Sequence, residues 1–236
     1  MSEGYNYRSN LEAPDLRPYF KHTWERVTPQ SYGHLVLSDF YDKPADDPVF
    51  AEWRNICGFW TLDEAAILYN CALQMQGRWL DIGSHTGWTT ANIVEAGNRV
   101  IAVDPMYSNA EFRDYASGNL MRYLYWICVE LEARTANEFF AAPENTYTQF
   151  NGVCIDGNHS SPCPLEDAQN SAKHLNDRGV ILLHDYRGEP IKEAYRWLLA
   201  NGFQGRTYTT PNGVAVCWRG EFTPPEHVPD PKLPPV

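Results

Sequence analysis

The sequence contains no CxxC pair, although it has six cysteines in 236 residues. Zinc sites and redox dithiols typically use such closely spaced cysteines. Most of these cysteines lie inside apolar segments, where a free thiol behaves as a small hydrophobic group. We therefore expect buried free thiols rather than a disulfide framework or a zinc site.

A long apolar run is also missing. The longest apolar stretches, such as Gly179–Leu183, are far shorter than the roughly 20 residues that a membrane-spanning helix needs. The first residues, Met1–Tyr5, do not place a basic region before an apolar core, so a secretory signal is not expected. The prediction is a cytoplasmic protein with no membrane partner.

Basic residues are few. Lysine and arginine together number 19 against 30 aspartates and glutamates, which gives a formal net charge of −11. Binding to a nucleic-acid backbone needs a basic face, so nucleic acid is not expected as the main partner. A small-molecule acceptor fits this charge balance better, and the sequence leaves open whether the chain forms a homo-oligomer.

The composition divides the chain into three regions. Residues 1–60 are rich in proline and aromatic residues, which predicts an irregular N-terminal extension that acts as a lid, wraps the core or contacts another subunit. Residues 61–220 contain alternating strand-like and helix-like segments around one sizeable core. Residues 221–236 are again rich in proline and are expected to form a loose tail.

The apolar pattern of residues 61–220 predicts an α/β fold. Thr61 and Glu64 form a capping-box pattern at the start of a helix that ends near Gly77. Another helix is expected around Asn119–Trp126. Strands are predicted at residues 78–83, 99–104, 129–133, 152–156 and 179–185, and a hairpin at 206–210 and 214–218. The expected fold is a Rossmann-like doubly wound, mostly parallel sheet with a C-terminal antiparallel hairpin strand.

The first predicted strand runs into a glycine-containing loop with the pattern Asp81-x-Gly83-x-x-x-Gly87, which includes Ser84. Glycines let a ligand approach the backbone, and the N–H groups of the following helix then face that ligand. A carboxylate before the first glycine would repel a dinucleotide pyrophosphate but could bind the amino group of a methionine moiety. Asp104 follows 23 residues later, near the spacing of about 20 for a carboxylate that accepts from ribose hydroxyls. The pattern therefore favours S-adenosylmethionine (SAM) over NAD.

A second polar group follows two later strands. Asp156 and His159 stand in the run Asp-Gly-Asn-His after one strand, and His184-Asp185 ends the next. If these strands are neighbours, the four side chains converge at one edge of the sheet. Carboxylates with one imidazole suit a divalent ion: oxygen ligands alone favour magnesium, and a nitrogen ligand moves the preference toward manganese, iron or zinc. Such a metal would hold an acceptor hydroxyl and lower its pKa.

Four sequence runs resemble the class I SAM-dependent methyltransferases: WLDIGSHTGWTT, VIAVD, GVCIDGNHS and GVILLHDY. Within that class they are similar to the branch of macrocin-type sugar O-methyltransferases and cephalosporin-hydroxylase-like proteins. The resemblance covers about residues 60–219. The first two motifs are common in the class, whereas the D-G-x-H and H-D pair is narrower.

The resemblance implies roles for individual residues. It places Asp156 beside the cofactor and in a metal site, together with an acidic pair that ends the next strand, and it makes His159 the general base. In this sequence His184-Asp185 stands in place of the acidic pair, so the expected metal ligands are Asp156, His184 and Asp185 and the ion is Mg, Mn or Fe. The fold also implies that Arg134 and Thr135 lie near the adenine.

For other residues near these motifs we expect no catalytic role. The end of the third predicted strand carries no acid to read the adenine amine, so base recognition is expected from backbone groups. Asp167 lies off the apolar stripe of its helix and is expected to be a solvated or capping acid. Tyr186 and Arg187 are expected to line an acceptor pocket.

These patterns predict SAM-dependent O-methylation of a hydroxyl on a small molecule, such as a sugar or natural product, with divalent-metal assistance. Two alternatives stay open. One is a metal-dependent oxygenase or hydroxylase-like enzyme on the same scaffold, in which one histidine and two aspartates hold ferrous iron. The other is a catalytically inactive SAM-binding protein.

Overall fold

The computed structural model describes residues 9–16, 60–121 and 128–236. The strands are β1 (Arg78–Ile82), β2 (Arg99–Val103), β3 (Val129–Glu132), β4 (Phe150–Ile155), β5 (Leu175–Leu183), β6 (Gln204–Tyr208) and β7 (Val214–Arg219). The helices are α1 (Leu62–Gln74), α2 (Trp88–Glu95), α3 (Ala110–Leu120), α4 (Ala136–Ala141), α5 (Cys163–Lys173) and α6 (Glu189–Ala200). Short 3-10 turns cover Pro105–Ser108 and Pro143–Asn145.

The seven strands form one sheet in the order β3-β2-β1-β4-β5-β7-β6. Strands β1 to β5 pair in parallel, and β7 runs antiparallel to both β5 and β6. The predicted fold, a mostly parallel doubly wound sheet with a C-terminal antiparallel hairpin, is therefore confirmed. The strand order reverses between β1 and β4, and ligands of such sheets bind at the carboxyl ends of the strands at this point.

Two apolar layers cover the sheet. Alternate residues of β1 point to opposite faces, because side chains alternate along a strand. Trp79 packs in the layer that contains Leu68 of α1 and Ile93 of α2. Leu80 packs in the opposite layer, which contains Ala168 of α5 and Leu198 of α6.

The helix after β2 differs from its prediction. Its expected range was Asn119–Trp126, but α3 begins at Ala110, where the Asn109 side chain accepts a hydrogen bond from the Phe112 amide at 3.1 Å. An N-cap asparagine satisfies one of the unpaired amides at a helix start, and this signal was missed. Residues 122–127 lie outside the described part of the chain.

The C-terminal tail is packed, which corrects the expectation of a loose segment. Its Pro225 carbonyl accepts from the Tyr208 hydroxyl at 3.0 Å, and His227 Nε2 lies 2.7 Å from Asp63 Oδ2 on α1. The neighbouring N-terminal residue Asn10 accepts from the Val228 amide at 2.9 Å. The tail is rich in proline, and several of its polar groups still bond to the rest of the chain.

The predictions for the N-terminal extension, the cysteines and membrane-spanning helices can be compared with the described residues. Within the predicted extension the structure describes residues 9–16 and Trp60, and Leu16 is buried in the core; residues 1–8 and 17–59 lie outside the described chain. Cys71, Cys154 and Cys217 are buried free thiols as expected, Cys128 and Cys163 are half-buried free thiols, and Cys57 is outside the described residues. None of the described helices is long and apolar enough to span a membrane.

Candidate active site

The loop after β1 approaches the acceptor-side motif closely. Gly83 and Gly87 have positive φ angles of 78° and 92°, which glycine adopts without steric cost. The Gly83 amide donates to the Val103 carbonyl of β2 at 2.9 Å. A Cβ added at Gly83 would lie 2.2 Å from the carbonyl oxygen of Asp156. Only glycine fits here, and the loop backbone therefore borders the residue that begins the acceptor motif.

Asp81 stabilises the start of α2. Its side chain is fully buried, and Oδ2 accepts from the hydroxyls of Thr89 at 2.7 Å and Thr90 at 2.6 Å. Burial raises the pKa of Asp81 to about 6, against the opposing effect of these hydrogen bonds. The carboxyl group thus holds the helix start against β1, and its contact with a methionine amino group stays a prediction.

Asp104 joins the end of β2 to the same loop. Its two oxygens accept from the backbone amides of His85 and Met106, each at 2.9 Å, and burial raises its pKa to about 6. The Tyr107 hydroxyl donates to the His85 carbonyl at 2.9 Å and lies 2.7 Å from Ser84 Oγ. Each carboxylate oxygen keeps a further lone pair, so Asp104 can still accept from a ribose hydroxyl.

His85 has a conformation that sequence reasoning did not foresee. Its φ of 47° is unusual for a residue other than glycine and carries strain. The ring is buried with its centroid 5.2 Å from that of Phe112, and burial lowers the pKa of His85 to about 4. A neutral imidazole therefore borders the predicted cofactor crevice.

The end of β3 contains an acid, which corrects the expectation that none is present. Glu132 is the last residue of the strand, and its Oε2 lies 3.6 Å from Arg134 Nε. Arg134 also donates to Glu144 at 2.8 Å, and Thr135 caps α4 through a capping box with Glu138. The cofactor roles of Arg134 and Thr135 stay predictions.

The acceptor-side residues converge as expected, because β4 and β5 are neighbours in the sheet. His184 Nδ1 lies 2.9 Å from Asp156 Oδ1. His159 bridges the two carboxylates, with Nε2 at 3.2 Å from Asp156 Oδ1 and Nδ1 at 2.9 Å from Asp185 Oδ2. Asp185 adopts a positive φ of 54°, a strained conformation of the kind that clusters at functional sites.

The bridging position of His159 affects its predicted role as a base. Burial alone would lower the pKa of His159, but its hydrogen bonds to Asp156 and Asp185 and their charges raise it to about 10. Both ring nitrogens are engaged by carboxylates in this arrangement. With this pKa the ring carries a hydrogen on both nitrogens at neutral pH, so His159 can take a proton from a substrate only after it has lost one of them and the contact at that nitrogen has opened.

Two residues missed by the sequence reasoning hold His184. The His184 ring is fully buried and stacks on Trp60, with a centroid distance of 4.4 Å and an interplanar angle of 14°. Trp60 Nε1 donates to Asp156 Oδ2 at 2.8 Å, and Glu64 Oε2 lies 3.3 Å from His184 Nε2. The capping-box pattern located Glu64 at the helix start but gave no signal for its contact with β5.

The charges of His184 and the surrounding carboxylates shift one another's pKa values. Burial would lower the pKa of His184, but the charges of Asp156 and Asp185 raise it well above its usual value. Burial would raise the pKa values of Glu64 and Asp156, but His184 is the main influence that lowers both. Carboxylates therefore face both edges of the buried imidazole.

The cluster has the chemistry of a divalent-cation site. Asp156, His184 and Asp185 each offer one ligand atom, and these atoms lie within 4.8 Å of one another. Two carboxylate oxygens and one imidazole nitrogen suit Mn²⁺ or Fe²⁺. A carboxylate on the far nitrogen of a ligating histidine, as Glu64 is here, is typical of metal sites. The residues fit a cation, and its presence stays a prediction.

One neighbouring expectation is wrong, and a second is not tested. Asp167 is buried rather than solvated, because α5 packs it toward Gly157, and burial raises its pKa to about 7. The Arg187 guanidinium donates to the carbonyls of Pro211 at 2.9 Å and of Thr210 and Pro234 at 3.0 Å. It therefore holds the hairpin loop and the tail together, and the expectation that Tyr186 and Arg187 line an acceptor pocket stays a prediction.

The segment that contains the predicted cofactor loop and the acceptor-side cluster matches a family model. Residues 80–186, from β1 to the residue after Asp185, match a family model described as a methyltransferase domain. No curated protein matches the chain in sequence.

Solved structures share the fold. An O-methyltransferase from Bacillus cereus in complex with SAH has a TM-score of 0.60 and 16% identity, covering 72% of this chain and 86% of that one. The O-methyltransferase TomG from Streptomyces achromogenes, in complex with SAM, has a TM-score of 0.53 and 14% identity, covering 66% and 79%. A precorrin-6y C5,15-methyltransferase from Geobacter metallireducens has a TM-score of 0.53 and 16% identity, covering 68% and 90%.

Residues 80–186 therefore resemble a methyltransferase domain, and the sheet has the Rossmann-like fold of the solved methyltransferases, which supports the prediction of a SAM-dependent methyltransferase. Identities this low carry the fold alone. The narrower resemblance to sugar O-methyltransferases and cephalosporin-hydroxylase-like proteins stays a prediction. One of these proteins is named for methylation at oxygen and another for methylation at carbon. The shared fold therefore does not determine which atom of the acceptor is methylated.

Proposed function

We propose that this protein transfers the methyl group of SAM to a hydroxyl of a small molecule, such as a sugar or natural product. The observation that supports this most directly is the contact between the backbone of Gly83 and that of Asp156. A ligand bound on the β1–α2 loop would lie beside the cluster of Asp156, His159 and Asp185. Methyl donor and acceptor would then share one crevice at the carboxyl ends of the strands.

The cofactor would be held by the residues that the sequence pattern identified. The backbone around Gly83, Ser84 and Gly87 would face the methionine portion, and Asp104 would accept from the ribose hydroxyls. Asp81 would act mainly by fixing the start of α2, where the free amides of a helix face the ligand. Arg134, Thr135 and Asp156 would complete the predicted contacts.

The reaction would be a direct displacement. The acceptor oxygen attacks the methyl carbon while the carbon–sulfur bond breaks, and SAH leaves with the sulfur electron pair. His159 would first lose one ring proton to solvent as its contact with Asp156 or Asp185 opens, and the freed nitrogen would then take the hydroxyl proton. Positioning and deprotonation are the main contributions that a protein can make to this step.

Asp156, His184 and Asp185 would hold a divalent cation, which would lower the pKa of the acceptor hydroxyl when bound. To test the ligands, Mn²⁺ binding is measured by equilibrium dialysis for the chelator-treated wild type and for Asp185→Asn. We expect saturable binding that the substitution weakens at least tenfold. Equal binding by both proteins, or none by the wild type, would remove the cation from the proposal.

Methyl transfer is tested with SAM carrying a labelled methyl group and a panel of hydroxylated sugars and phenols. His159→Gln is compared with His174→Gln, because His174 bonds to the Thr148 carbonyl away from the cluster. We expect the first substitution to reduce the rate roughly 10²- to 10⁴-fold without changing SAM affinity, and the second to have little effect. Absence of label on every acceptor, or full activity of His159→Gln, would overturn the proposal.

A further inference from the structure

Glu64 is a fully buried carboxylate to which the sequence pattern gave only a capping role and the proposed reaction gives no role. It lies in the first turn of α1 and reaches across to β5 and to the loop between β6 and β7. Its neighbour Asp63 is also fully buried but turns to the other side, where it bonds to His227 and to the Ser9 amide. The two acids thus serve different parts of the molecule.

The surroundings of Glu64 are all hydrogen-bond donors. Oε1 accepts from the Thr210 hydroxyl at 2.8 Å and from the Asn212 amide at 2.9 Å. Oε2 accepts from the Thr61 amide at 2.8 Å and the Asn212 side-chain amide at 3.2 Å, and it faces His184 Nε2 at 3.3 Å. A carboxylate accepts at both oxygens, whereas an amide would turn an NH₂ group toward one set of donors. The site therefore requires glutamate rather than glutamine.

His184 is the one member of this group that also belongs to the acceptor cluster. Trp60 stacks on the ring and sets its plane, but stacking alone does not decide which nitrogen faces which side. The partner at one ring nitrogen decides the orientation and the tautomer of a histidine. Here the partner at Nε2 is Glu64, and Nδ1 faces Asp156.

We propose that Glu64 is a positioning residue whose Oε2 accepts the Nε2 hydrogen of His184 and thereby keeps Nδ1 directed at Asp156 and Asp185. The contribution of this orientation to methyl transfer rests on the function proposed above. The orientation itself rests only on the contacts of Glu64, Trp60 and His184. Because the same carboxylate binds the 210–212 loop, it also ties that loop to the acceptor cluster.

The proposal is tested by ¹⁵N NMR of protein labelled at histidine, where the two ring nitrogens report which one carries a hydrogen. The His184 signals are identified by their loss in His184→Gln. We expect a hydrogen on Nε2 in the wild type. In Glu64→Gln we expect the Nε2 hydrogen of His184 to be lost, because the glutamine NH₂ group would donate to Nε2. The remaining ring hydrogen would then be on Nδ1.

Asp63→Asn is the matched control, since it removes the other buried carboxylate of the same helical turn. It should leave the His184 signals unchanged. Glu64→Asp is a second variant. It keeps the carboxylate but places it one methylene farther from His184, so the chemical shift of Nε2 should also change. Unchanged His184 signals in the folded Glu64 variants, or equal changes in Asp63→Asn, would overturn the proposal.

Activity gives a second and separable readout. Glu64→Gln should lower kcat about 10- to 100-fold with little change in KM for SAM, and it should have no further effect in a His184→Gln background. An additional loss in that background would contradict action through His184. If the wild type transfers no methyl group, the proposed function fails, while the NMR result still decides the role of Glu64.

Discussion

At the residue scale, the acceptor cluster could be predicted because its members follow neighbouring parallel strands. Asp156 directly follows β4 and His184-Asp185 directly follows β5, so their convergence needed only the correct order of strands. Glu64 and Trp60 could not be found in this way, because their contacts with His184 depend on how α1 packs across the sheet. Asp167 was misjudged for the same reason: its burial is set by the β4–α5 loop and not by its own helix.

Asp81 should make stability depend on pH in a defined direction. Its pKa is raised from 3.8 to about 6 by burial, so between these values the folded state binds more protons than the unfolded chain. Raising the pH through this window therefore favours unfolding, by roughly 3 kcal/mol for a shift of about two units. Asp81→Asn keeps an oxygen for Thr89 and Thr90 but cannot titrate.

Urea unfolding of the wild type and of Asp81→Asn, at several pH values from about 4 to about 7, checks this prediction. The wild type should lose stability relative to the variant as the pH rises. A constant difference between the two proteins would mean that Asp81 keeps an ordinary pKa in the folded state.

At the element scale, most helices and strands follow from apolar periodicity and capping signals. The capping box of Thr61 and Glu64 is present at α1, and the third helix was misplaced because its Asn109 cap was overlooked. Strand β5 begins at Leu175, earlier than residue 179, because its first part includes the exposed polar residues Asp177 and Arg178. Apolar patterns detect only the buried part of such a strand.

The turn between β1 and α2 is the element most sensitive to substitution. Gly83→Ala would place a methyl group 2.2 Å from the Asp156 carbonyl at a φ of 78°, so we expect a clear loss of stability and of SAM affinity. Gly118→Ala in α3 is the control, because a Cβ there meets nothing within 4 Å. It should stabilise the protein by about 0.5–1 kcal/mol.

Thermal melting with and without SAM measures both variants. If Gly83→Ala melted at the wild-type temperature and still gained stability from SAM, the close approach of the loop to Asp156 would not matter for the cofactor site.

At the scale of the whole molecule, alternation of strands and helices was sufficient to predict the sheet, whereas composition misjudged the tail. Proline content excludes helix but does not exclude an extended segment with specific hydrogen bonds. The tail bonds to α1 through His227 and to β6 through Pro225, and it runs beside residues 9–16. These contacts connect both ends of the described chain to the helix that carries Glu64.

His227→Ala should therefore destabilise the whole fold. It removes a buried hydrogen bond and leaves Asp63 Oδ2 without this partner, which typically costs about 1–3 kcal/mol. Lys232→Ala, at an exposed tail position, is the control and should have almost no effect. Equal urea midpoints for wild type and His227→Ala would indicate that the tail contributes little to stability.

The central claim is that the crevice at the carboxyl ends of β1 and its neighbours β2 and β4 binds SAM, and calorimetric titration tests it most directly. Wild-type protein should bind SAM and SAH at one site per chain and show no comparable heat with NAD. Asp104→Asn should weaken SAM binding at least tenfold, because a carboxylate that accepts from ribose is lost. Absence of SAM binding by the wild type, or preferential binding of NAD, would contradict the account.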